Sequence, residues 1–504
     1  MLGIIPLVSI PDSARYAAFV TRDRRFDGRL FIGVTSTGVY CRPVCRVRTP
    51  RPENCRFFDH PAAAEAQGFR PCLRCRPELA PGRALIDMPS QLAWAAAQRI
   101  EAGALGDADL GTLARRLGIT DRHLRRVFRE AFGVSPIDYA QTQRLLLAKR
   151  LLADTALPVT AVALAAGFGS LRRFHALFRS RYGLTPTTVR QRHREQALDT
   201  DGSQHFLLGY RPPFDGPGLL DFLARRAVCG IEQVDGAHYR RSLRLTGPDG
   251  RGHAGWLTVR DAPERHAVEV HVSAGLLHAL PAVLAAVRRL ADLSCDPLAV
   301  AHALGPLAAE APGLRVPGAV DGFEMAVRAV LGQQVSVRAA RTLAGRLVEA
   351  FGPAMPTPWP GIDRCFPDAA TLAGADPAAL AALGLVRRRA DTLVALARAL
   401  VDGTLDLGPS AAIDTTLARL QALPGIGPWT AQYIALRALG WPDAWPSGDV
   451  ALRHALGDPP AAEVDRLAEA WRPWRSYATL HLWRRATPLP HASGNPDETN
   501  HILD

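Results

Sequence analysis

The chain has 504 residues and a net charge of +12, and 48% of its residues are hydrophobic. The chain is too long for a single hydrophobic core, so its length predicts about three domains. Apolar residues are spread along the whole sequence, which excludes a disordered chain. No run of eighteen uncharged apolar residues and no signal-peptide pattern occurs, which predicts a cytoplasmic protein without membrane spans. The basic balance favours a polyanionic partner, of which nucleic acid is the usual one.

Five of the eight cysteines lie in the first eighty residues, and four of these form two close pairs. The pairs are Cys41-x3-Cys45 and Cys72-x2-Cys75, and the second has the spacing of a zinc knuckle. Four soft sulfur ligands suffice for tetrahedral coordination, so the sequence predicts a Zn²⁺ site here. The site is either purely structural or contains one cysteine that reacts. Cys55 lies between the pairs, and we expect it to pack in the interior.

The segments "GVYCRPVC" and "GFRPCLRC" give Asp23–Pro77 a close resemblance to the Ada-type methylphosphotriester-sensing domain. The resemblance implies that Cys41 is both a zinc ligand and the methyl acceptor. A thiolate attacks a methyl carbon, and a neutral phosphotriester admits its approach where an anionic diester repels it. Since no step resets the sulfur, we expect one turnover per chain. Arg48, Arg70 and Arg74 are candidates for contacts with DNA phosphates.

A helix-rich segment lies between two expected linkers, 79–91 and 195–204. It holds two similar units, "DLGTLARRLGITDRHLRRVFREAFGVSP" and "PVTAVALAAGFGSLRRFHALFRSRYGLTP". Each unit predicts a short apolar helix, a glycine-containing turn and a longer helix bearing arginines. In the first unit, Thr120 is placed to cap the longer helix.

This pattern resembles the tandem helix-turn-helix of the AraC-type DNA-binding domain, over Gln91–Arg190. The resemblance implies that the longer helix of each unit approaches a major groove of promoter DNA. The alternative is a helical bundle with solvated arginines. The candidate DNA contacts on these helices are Arg122, His123, Arg126, Arg172 and His175.

Near the C-terminus, "LPGIGPW" predicts a hairpin turn between two helices. Gly425 and Gly427 both permit left-handed backbone, and we expect them to expose N–H groups to a phosphate. About twenty residues after the hairpin, "WPSGDVALRHAL" places Asp449 at a helix start. An aspartate at a helix start can be an N-cap, and it can be a catalytic carboxylate; Asp449 can have both roles at once.

The combination of hairpin and aspartate resembles the helix-hairpin-helix glycosylases. The segments "YRPPFDGPGLLDFLARRAV", "RVPGAVDGFEMAVRAVLGQQVS" and "WRPWRSYATLHLW" narrow this to the AlkA-type 3-methyladenine DNA glycosylases, over Phe206–Arg484. The resemblance implies that Asp449 is catalytic and that Gln334 lies where a leucine wedge fills the gap left by a flipped base. It also implies a base pocket of four aromatic side chains: Phe222, Trp429, Tyr433 and Trp483.

Lysine is nearly absent, and the single one is Lys149, in the helix-turn-helix segment. Related bifunctional glycosylases form a Schiff base with a lysine two residues after the hairpin's final glycine, and Trp429 stands there instead. The sequence therefore predicts a monofunctional DNA-3-methyladenine glycosylase. The "PCHR" motif of O6-alkylguanine transferases is missing, so we expect no O6-methylguanine repair.

The sequence thus predicts a multidomain, mostly α chain. Its expected parts are a small α/β zinc domain (1–80), a tandem helix-turn-helix domain (88–194), a small α+β domain (203–315) and an all-α helix-hairpin-helix glycosylase domain (316–490). The expected partner is double-stranded DNA, both alkylated and promoter DNA, with RNA polymerase as a further candidate and a nucleoid-associated location. Two alternatives stay open: a regulator whose glycosylase-like domain is a non-catalytic DNA-binding module, and a zinc-bearing transcription factor without methyl transfer.

Overall fold

The computed structural model describes residues 10–83, 90–105, 109–191, 203–408 and 411–486. Both expected linkers lie partly outside these ranges, and the polar C-terminal tail lies wholly outside them. Within the described part, no helix has the length and apolar character that crossing a bilayer requires.

The chain divides into two compact units, each built from several segments. The first comprises Met1–Pro212, Arg244–Arg288 and Leu293–Asp296. The second comprises Pro213–Leu243, Arg289–Asp292 and Pro297–Asp504.

The first unit begins with a small α/β layer around a four-stranded sheet, ordered β3-β1-β2-β4. Strand β1 is antiparallel to β2 and β3, whereas β2 and β4 are parallel. Because Tyr40 pairs with Pro71, Cys41 and Cys72 leave neighbouring parallel strands at the same end of the sheet. The elements are α1 (Asp12–Val20), β1 (Phe31–Val34), β2 (Val39–Cys41), β3 (Cys55–Phe58), α2 (Pro61–Ala66) and β4 (Arg70–Pro71).

Among the residues that the structure describes, seven helices follow, and they contain both expected helix-turn-helix units, as α4 (Leu110–Arg116) with α5 (Asp121–Phe132) and as α7 (Val159–Ala165) with α8 (Leu171–Tyr182). Thr120 and Ser170 cap the longer helices by accepting from the backbone N–H of His123 and Arg173. These helices end at Gly133 and Gly183, whose φ values are 71° and 63°. The helices are α3 (Gln91–Glu101), α4 (Leu110–Arg116), α5 (Asp121–Phe132), α6 (Pro136–Asp154), α7 (Val159–Ala165), α8 (Leu171–Tyr182) and α9 (Pro186–Gln191).

Buried polar contacts join the zinc region to helix α6 within the first unit. The carboxylate of Glu65 accepts hydrogen bonds from Tyr40 (3.1 Å), Thr142 (3.0 Å) and Tyr182 (3.3 Å). Lys149 donates to both carboxylate oxygens of Glu78 at 2.6 Å. These contacts satisfy the buried polar groups only when both regions are folded against each other.

Strands dominate the next segment, which contributes to both units. In the first unit, β9 lies between β5 and β8 and is antiparallel to both. Phe206 pairs with Val270, which pairs with Val259, so one face of these strands is apolar and buried. The elements are β5 (Gln204–Gly209), α10 (Gly216–Arg226), β6 (Glu232–Asp235), β7 (His238–Thr246), β8 (Gly252–Ala262), β9 (Ala267–Val272) and α11 (Leu280–Leu290).

The remaining described residues of the second unit form mainly helices, and the α+β and all-α character predicted for this half of the chain is confirmed. The helices are α12 (Pro297–Leu304), α13 (Pro306–Ala309), α14 (Gly322–Leu331), α15 (Val337–Phe351), α16 (Ala369–Ala373), α17 (Pro377–Ala381), α18 (Arg387–Val401), α19 (Ile413–Ala422), α20 (Pro428–Arg437), α21 (Val450–Ala455), α22 (Ala461–Ala468) and α23 (Arg475–Ala486).

A buried cluster of ion pairs fixes α10 and the β6–β7 hairpin to α14 in the second unit. Arg328 donates to Glu232 at 2.6 Å and to Glu324 at 3.1 Å, and Arg241 donates to Glu324 at 2.7 Å. Arg328 also donates to the backbone oxygen of Arg226, the last residue of α10. The cluster therefore positions the C-terminal end of α10.

Candidate functional sites

The structure brings four cysteine sulfurs together, with all four Sγ atoms within 4.8 Å of one another. Cys41 ends β2, Cys45 lies in the following turn, and Cys72 and Cys75 follow β4. The backbone N–H groups of Arg42 and Arg74 point at the Sγ atoms of Cys75 and Cys72, at 3.3 and 3.4 Å.

Four thiolates at this separation fit tetrahedral Zn²⁺, and N–H donors offset the negative charge on the sulfurs.

Arg42 fixes the turn that carries the first cysteine pair. Its guanidinium forms an ion pair with Asp27 and donates to the backbone oxygen of Cys75 at 3.2 Å. Cys41 is 3% exposed, and Cys75 is the least buried of the four. Cys55 is buried in the same apolar core as Cys41, Cys45 and Cys72 but is not one of the four grouped sulfurs, and its Sγ lies 3.5 Å from the backbone oxygen of Arg51.

The candidate DNA contacts of the helix-turn-helix units lie on the surface of their helices. Arg122, Arg126, Arg172 and His175 are exposed and His123 is half-buried, whereas the apolar positions between them are buried. Arg48, after the cysteine turn, is also exposed. These side chains are reached by solvent and are not part of the hydrophobic core, so a polyanion can contact them.

The hairpin between α19 and α20 requires glycine at one of its two candidate positions. Gly425 has φ of 88°, and an added Cβ would lie 2.2 Å from the Oγ1 atom of Thr392. Gly427 does not use the left-handed backbone that glycine permits: its φ is −89°, and it is the N-cap of α20. No atom lies within 4 Å of a Cβ added to Gly427, which leaves open space in front of it.

Asp449 is held by three donors. Its Oδ1 atom accepts from the backbone N–H of Leu452 at 3.0 Å, which makes it the N-cap of α21. The indole N–H of Trp483 also donates to Oδ1, at 3.2 Å, and that of Trp429 donates to Oδ2 at 2.9 Å. Asp449 therefore caps helix α21 and at the same time presents a carboxylate that is held in a fixed position.

The four aromatic residues expected to form a pocket are all half-buried. Trp429 stacks on Tyr433 with ring centroids 5.4 Å apart, and Tyr433 lies 6.0 Å from Trp483. The ring of Phe222 contacts two arginines: the Arg226 and Arg437 guanidiniums lie 3.9 and 4.7 Å from its centroid, and the Arg437 guanidinium also lies 5.9 Å from the centroid of Tyr433.

Sequence reasoning missed these two arginines and the N–H donors of the tryptophans. Arg226 follows Phe222 by four residues, and Arg437 follows Tyr433 by four, so helical spacing was the signal available. Arg437 donates to the hydroxyl of Tyr433 at 3.1 Å. Burial by itself raises the pKa of Tyr433, but Arg437 and Arg226 outweigh burial and lower it below its ordinary value.

A second cluster, His205, Glu269 and His271, lies on the paired strands β5 and β9. The Oε2 atom of Glu269 is already paired with Arg260, and Arg265 lies 4.0 Å from Oε1. Two guanidiniums beside a single carboxylate disfavour a further cation at this place.

Four family models match successive parts of the chain. They describe the metal binding domain of Ada (residues 14–78), a helix-turn-helix domain (113–192), the AlkA N-terminal domain (205–321) and the HhH-GPD superfamily of base excision DNA repair proteins (327–474). A probable bifunctional transcriptional activator/DNA repair enzyme AlkA of Mycobacterium tuberculosis (strain H37Rv) is 41% identical over 493 residues. That match covers 94% of this chain and 96% of the relative.

The chain belongs to the family of bifunctional AlkA-type transcriptional activator/DNA repair proteins. Two other relatives match only a part of this chain. DNA-3-methyladenine glycosylase 2 of Escherichia coli (strain K12) is 41% identical over 278 residues, covering 55% of this chain and 96% of that protein. The bifunctional transcriptional activator/DNA repair enzyme AdaA of Bacillus subtilis (strain 168) is 28% identical over 179 residues, covering 35% and 82%. The match to the metal binding domain of Ada and the four converging sulfurs together show that this site binds Zn²⁺.

Proposed function

We propose that this family member senses alkylated DNA, regulates transcription in response, and excises alkylated bases. The work is divided among the four segments predicted from the sequence: 1–80 accepts a methyl group, 88–194 binds promoter DNA, and 203–315 with 316–490 forms the glycosylase. Double-stranded DNA is the partner of all three activities, and the arginine-rich exposed faces of α5 and α8 support this. Contact with RNA polymerase and a nucleoid location belong to the same proposal.

Cys41 is the proposed methyl acceptor. Its sulfur attacks the methyl carbon of a phosphotriester, an S–C bond forms, and the O–C bond breaks with its electron pair left on the phosphate diester. Bound Zn²⁺ supplies the charge that keeps the four sulfurs deprotonated at neutral pH. Methylation removes one negative charge from the cluster, so repulsion from DNA phosphates falls and DNA affinity rises.

The acceptor test locates the methyl group among the sulfurs. Intact zinc-loaded chain is incubated with methylphosphotriester DNA, digested, and analysed by peptide mass spectrometry. We expect one added methyl on Cys41, and Cys55→Ser, a buried cysteine outside the cluster, to behave as the unsubstituted chain. A methyl group on Cys75, the least buried ligand, would contradict the assignment to Cys41, and no added methyl would favour the zinc-bearing factor without transfer.

The fixed carboxylate of Asp449 is the observation that carries the glycosylase proposal. Two indole N–H donors hold both of its oxygens beside half-buried aromatic rings. A purine alkylated at N3 or N7 is a cationic leaving group that stacks on such rings. The N-glycosidic bond breaks with its electron pair on the base, the carboxylate stabilises the sugar cation, and water adds to C1′ with loss of a proton. No lysine is present in the second unit, so strand cleavage through a Schiff base is not part of the proposal.

Release of free 3-methyladenine and 7-methylguanine from methylated duplex DNA tests this activity. We expect Asp449→Asn to lower the single-turnover rate by about 100-fold or more, since loss of one electrostatic stabiliser has that effect. Asp458→Asn, at an exposed carboxylate paired with His454, is the matched control and keeps the full rate. No base release from any of these chains would favour the regulator with a non-catalytic glycosylase fold.

A further inference from the structure

Within the first unit, helix α6 of the helix-turn-helix segment contacts strand β5 of the sheet that follows it in the chain. Among the described strands, β5 pairs with β9 on one side only, and such an edge presents backbone groups that need other partners. The buried guanidinium of Arg150, in α6, donates to the backbone oxygen of Leu207 at 2.6 Å and lies 5.1 Å from the ring centroid of Phe206. Arg150 therefore joins α6 to both the backbone and a core side chain of β5.

Ion pairs connect this contact to the cysteine cluster. Arg150 lies 3.7 Å from Asp154, one helical turn later, and Asp154 also accepts from Arg76 at 2.8 Å. Arg76 directly follows Cys75 in the chain. The side chains of Arg150, Asp154 and Arg76 are 3%, 14% and 17% exposed, so solvent screens these pairs less than it screens surface pairs. Unfolding of the turn that carries Cys75 would therefore remove a partner of Asp154 and, through Asp154, weaken the support of Arg150.

Close backbone contacts join the same two regions without help from side chains. A Cβ added to Gly209, the last residue of β5, would lie 2.5 Å from the backbone oxygen of Leu79, which follows the cysteine cluster. A Cβ added to Gly28, in the zinc region, would lie 2.0 Å from the backbone oxygen of Pro81. Both distances are too short for a real Cβ, so only glycine permits these contacts. Segment 79–81 is therefore packed between the zinc region and β5.

We propose that the four-cysteine zinc site stabilises the sheet of β5, β9 and β8 through segment 79–81 and Arg150, so that loss of zinc loosens these strands. A metal site that the unfolded chain does not form contributes its binding free energy to folding. Elements that pack directly on such a site share this contribution, whereas elements held by a separate core do not. The three strands belong to the segment 203–315 assigned to the glycosylase, so the metal of the zinc region governs the stability of part of the repair domain.

Native-state hydrogen exchange with mass spectrometry on the full chain tests this inference, with the zinc content measured in every sample. We expect removal of zinc by a chelator to accelerate exchange of the β5 and β9 amides by about tenfold or more. Peptides of α18, which belongs to the second unit, are the internal reference for effects of the chelator itself and should change by less than about twofold.

Two variants interrupt the connection at different points. Arg150→Met keeps the aliphatic stem but loses the donor to Leu207, so with zinc bound its β5 amides should exchange about tenfold faster than those of the unsubstituted chain. Gly209→Ala should have a similar effect, because its Cβ pushes β5 away from Leu79. In both variants, removal of zinc should then accelerate β5 exchange by less than about threefold.

Matched controls leave the connection intact. Arg125→Met removes an exposed guanidinium of α5, and Gly345→Ala adds a Cβ at an ordinary contact distance of 3.7 Å from the Cβ of Cys229. Both control variants should keep the full response of β5 to zinc removal.

The inference is overturned by a zinc-free chain whose β5 and β9 amides exchange within about threefold of the zinc-loaded chain. A full response to zinc removal in either Arg150→Met or Gly209→Ala overturns it as well. Base release from methylated DNA is measured on the same preparations. Because the exchange rates do not depend on catalysis, absence of base release would contradict the proposed excision alone, and unchanged exchange would contradict this inference alone.

Discussion

Replacing Lys149 by methionine should loosen the contact between the zinc region and helix α6. Lys149 and Glu78 have side chains that are each 3% exposed, and the ammonium lies 2.6 Å from both carboxylate oxygens. Burial raises the pKa of Glu78, but Lys149 and Arg76 outweigh burial and hold it below its ordinary value. The carboxylate is therefore ionised at neutral pH, and methionine fills the space of the lysine stem without neutralising it.

The magnitude follows from what remains around the carboxylate. Removing one partner of a buried ion pair costs about 3–5 kcal/mol. Arg76 stays 3.0 Å from the Oε1 atom of Glu78, so the lower end applies, about 3 kcal/mol. If exchange of the α6 amides requires this contact to open, that loss accelerates their hydrogen exchange by about 150-fold.

Native-state hydrogen exchange with mass spectrometry measures this on peptides from α6. Arg125→Met, which breaks an exposed pair with Asp121 (48% and 43% exposed side chains), is the matched control and should change exchange by about twofold. Adding Glu78→Gln to Lys149→Met should restore part of the protection, because it removes the unpaired buried charge. Exchange of α6 in Lys149→Met within about threefold of the unsubstituted chain would refute the reasoning.

Three further predictions concern other sites. Burial raises the pKa of Glu65 from 4.5 to about 7, so between these pH values the folded chain keeps a proton that the unfolded chain releases. The stability of the folded chain therefore falls as pH rises through this window. Glu65→Gln should remove that fall, and a calorimetric transition temperature whose pH dependence is the same in the variant would contradict the prediction. Trp429→Phe keeps a ring but loses the N–H donor to Asp449, so the single-turnover rate of base release should fall by about 10- to 100-fold, and a rate within about threefold would argue against that hydrogen bond. Gly425→Ala should lower both the thermal unfolding temperature and the affinity for abasic duplex DNA, whereas Gly427→Ala should lower the affinity alone. An equal fall in unfolding temperature in the two variants would disprove that only Gly425 requires left-handed backbone.

The cysteine spacing was sufficient to predict the zinc site, because ligands that flank short strands and turns are brought together by local structure. Cys41 with Cys45 and Cys72 with Cys75 are each close in sequence, and only the parallel pairing of β2 with β4 had to be added. The helix-turn-helix units were likewise predictable, since their caps, glycine turns and apolar positions are all short-range features.

The hairpin between α19 and α20 shows that residue type alone does not determine the backbone conformation of a glycine. Both glycines permit left-handed backbone, but Gly425 uses that freedom and Gly427 does not, because only Gly425 packs against Thr392 while Gly427 starts a helix. The sequence cannot distinguish these cases, since the deciding neighbour lies more than thirty residues away in α18.

By itself the sequence determined the zinc ligands, the capped arginine-bearing helices and the presence of a carboxylate after the hairpin. Each of these depends on residues a few positions apart, where helix and strand geometry dictate the outcome. Only the tertiary structure decided that two tryptophans donate to Asp449, that the Arg437 guanidinium lies over Phe222, and that the single lysine joins Glu78 in the interior. Each of those contacts joins residues at least 20 positions apart, and no local preference specifies them, because they form only when packing brings separate elements together.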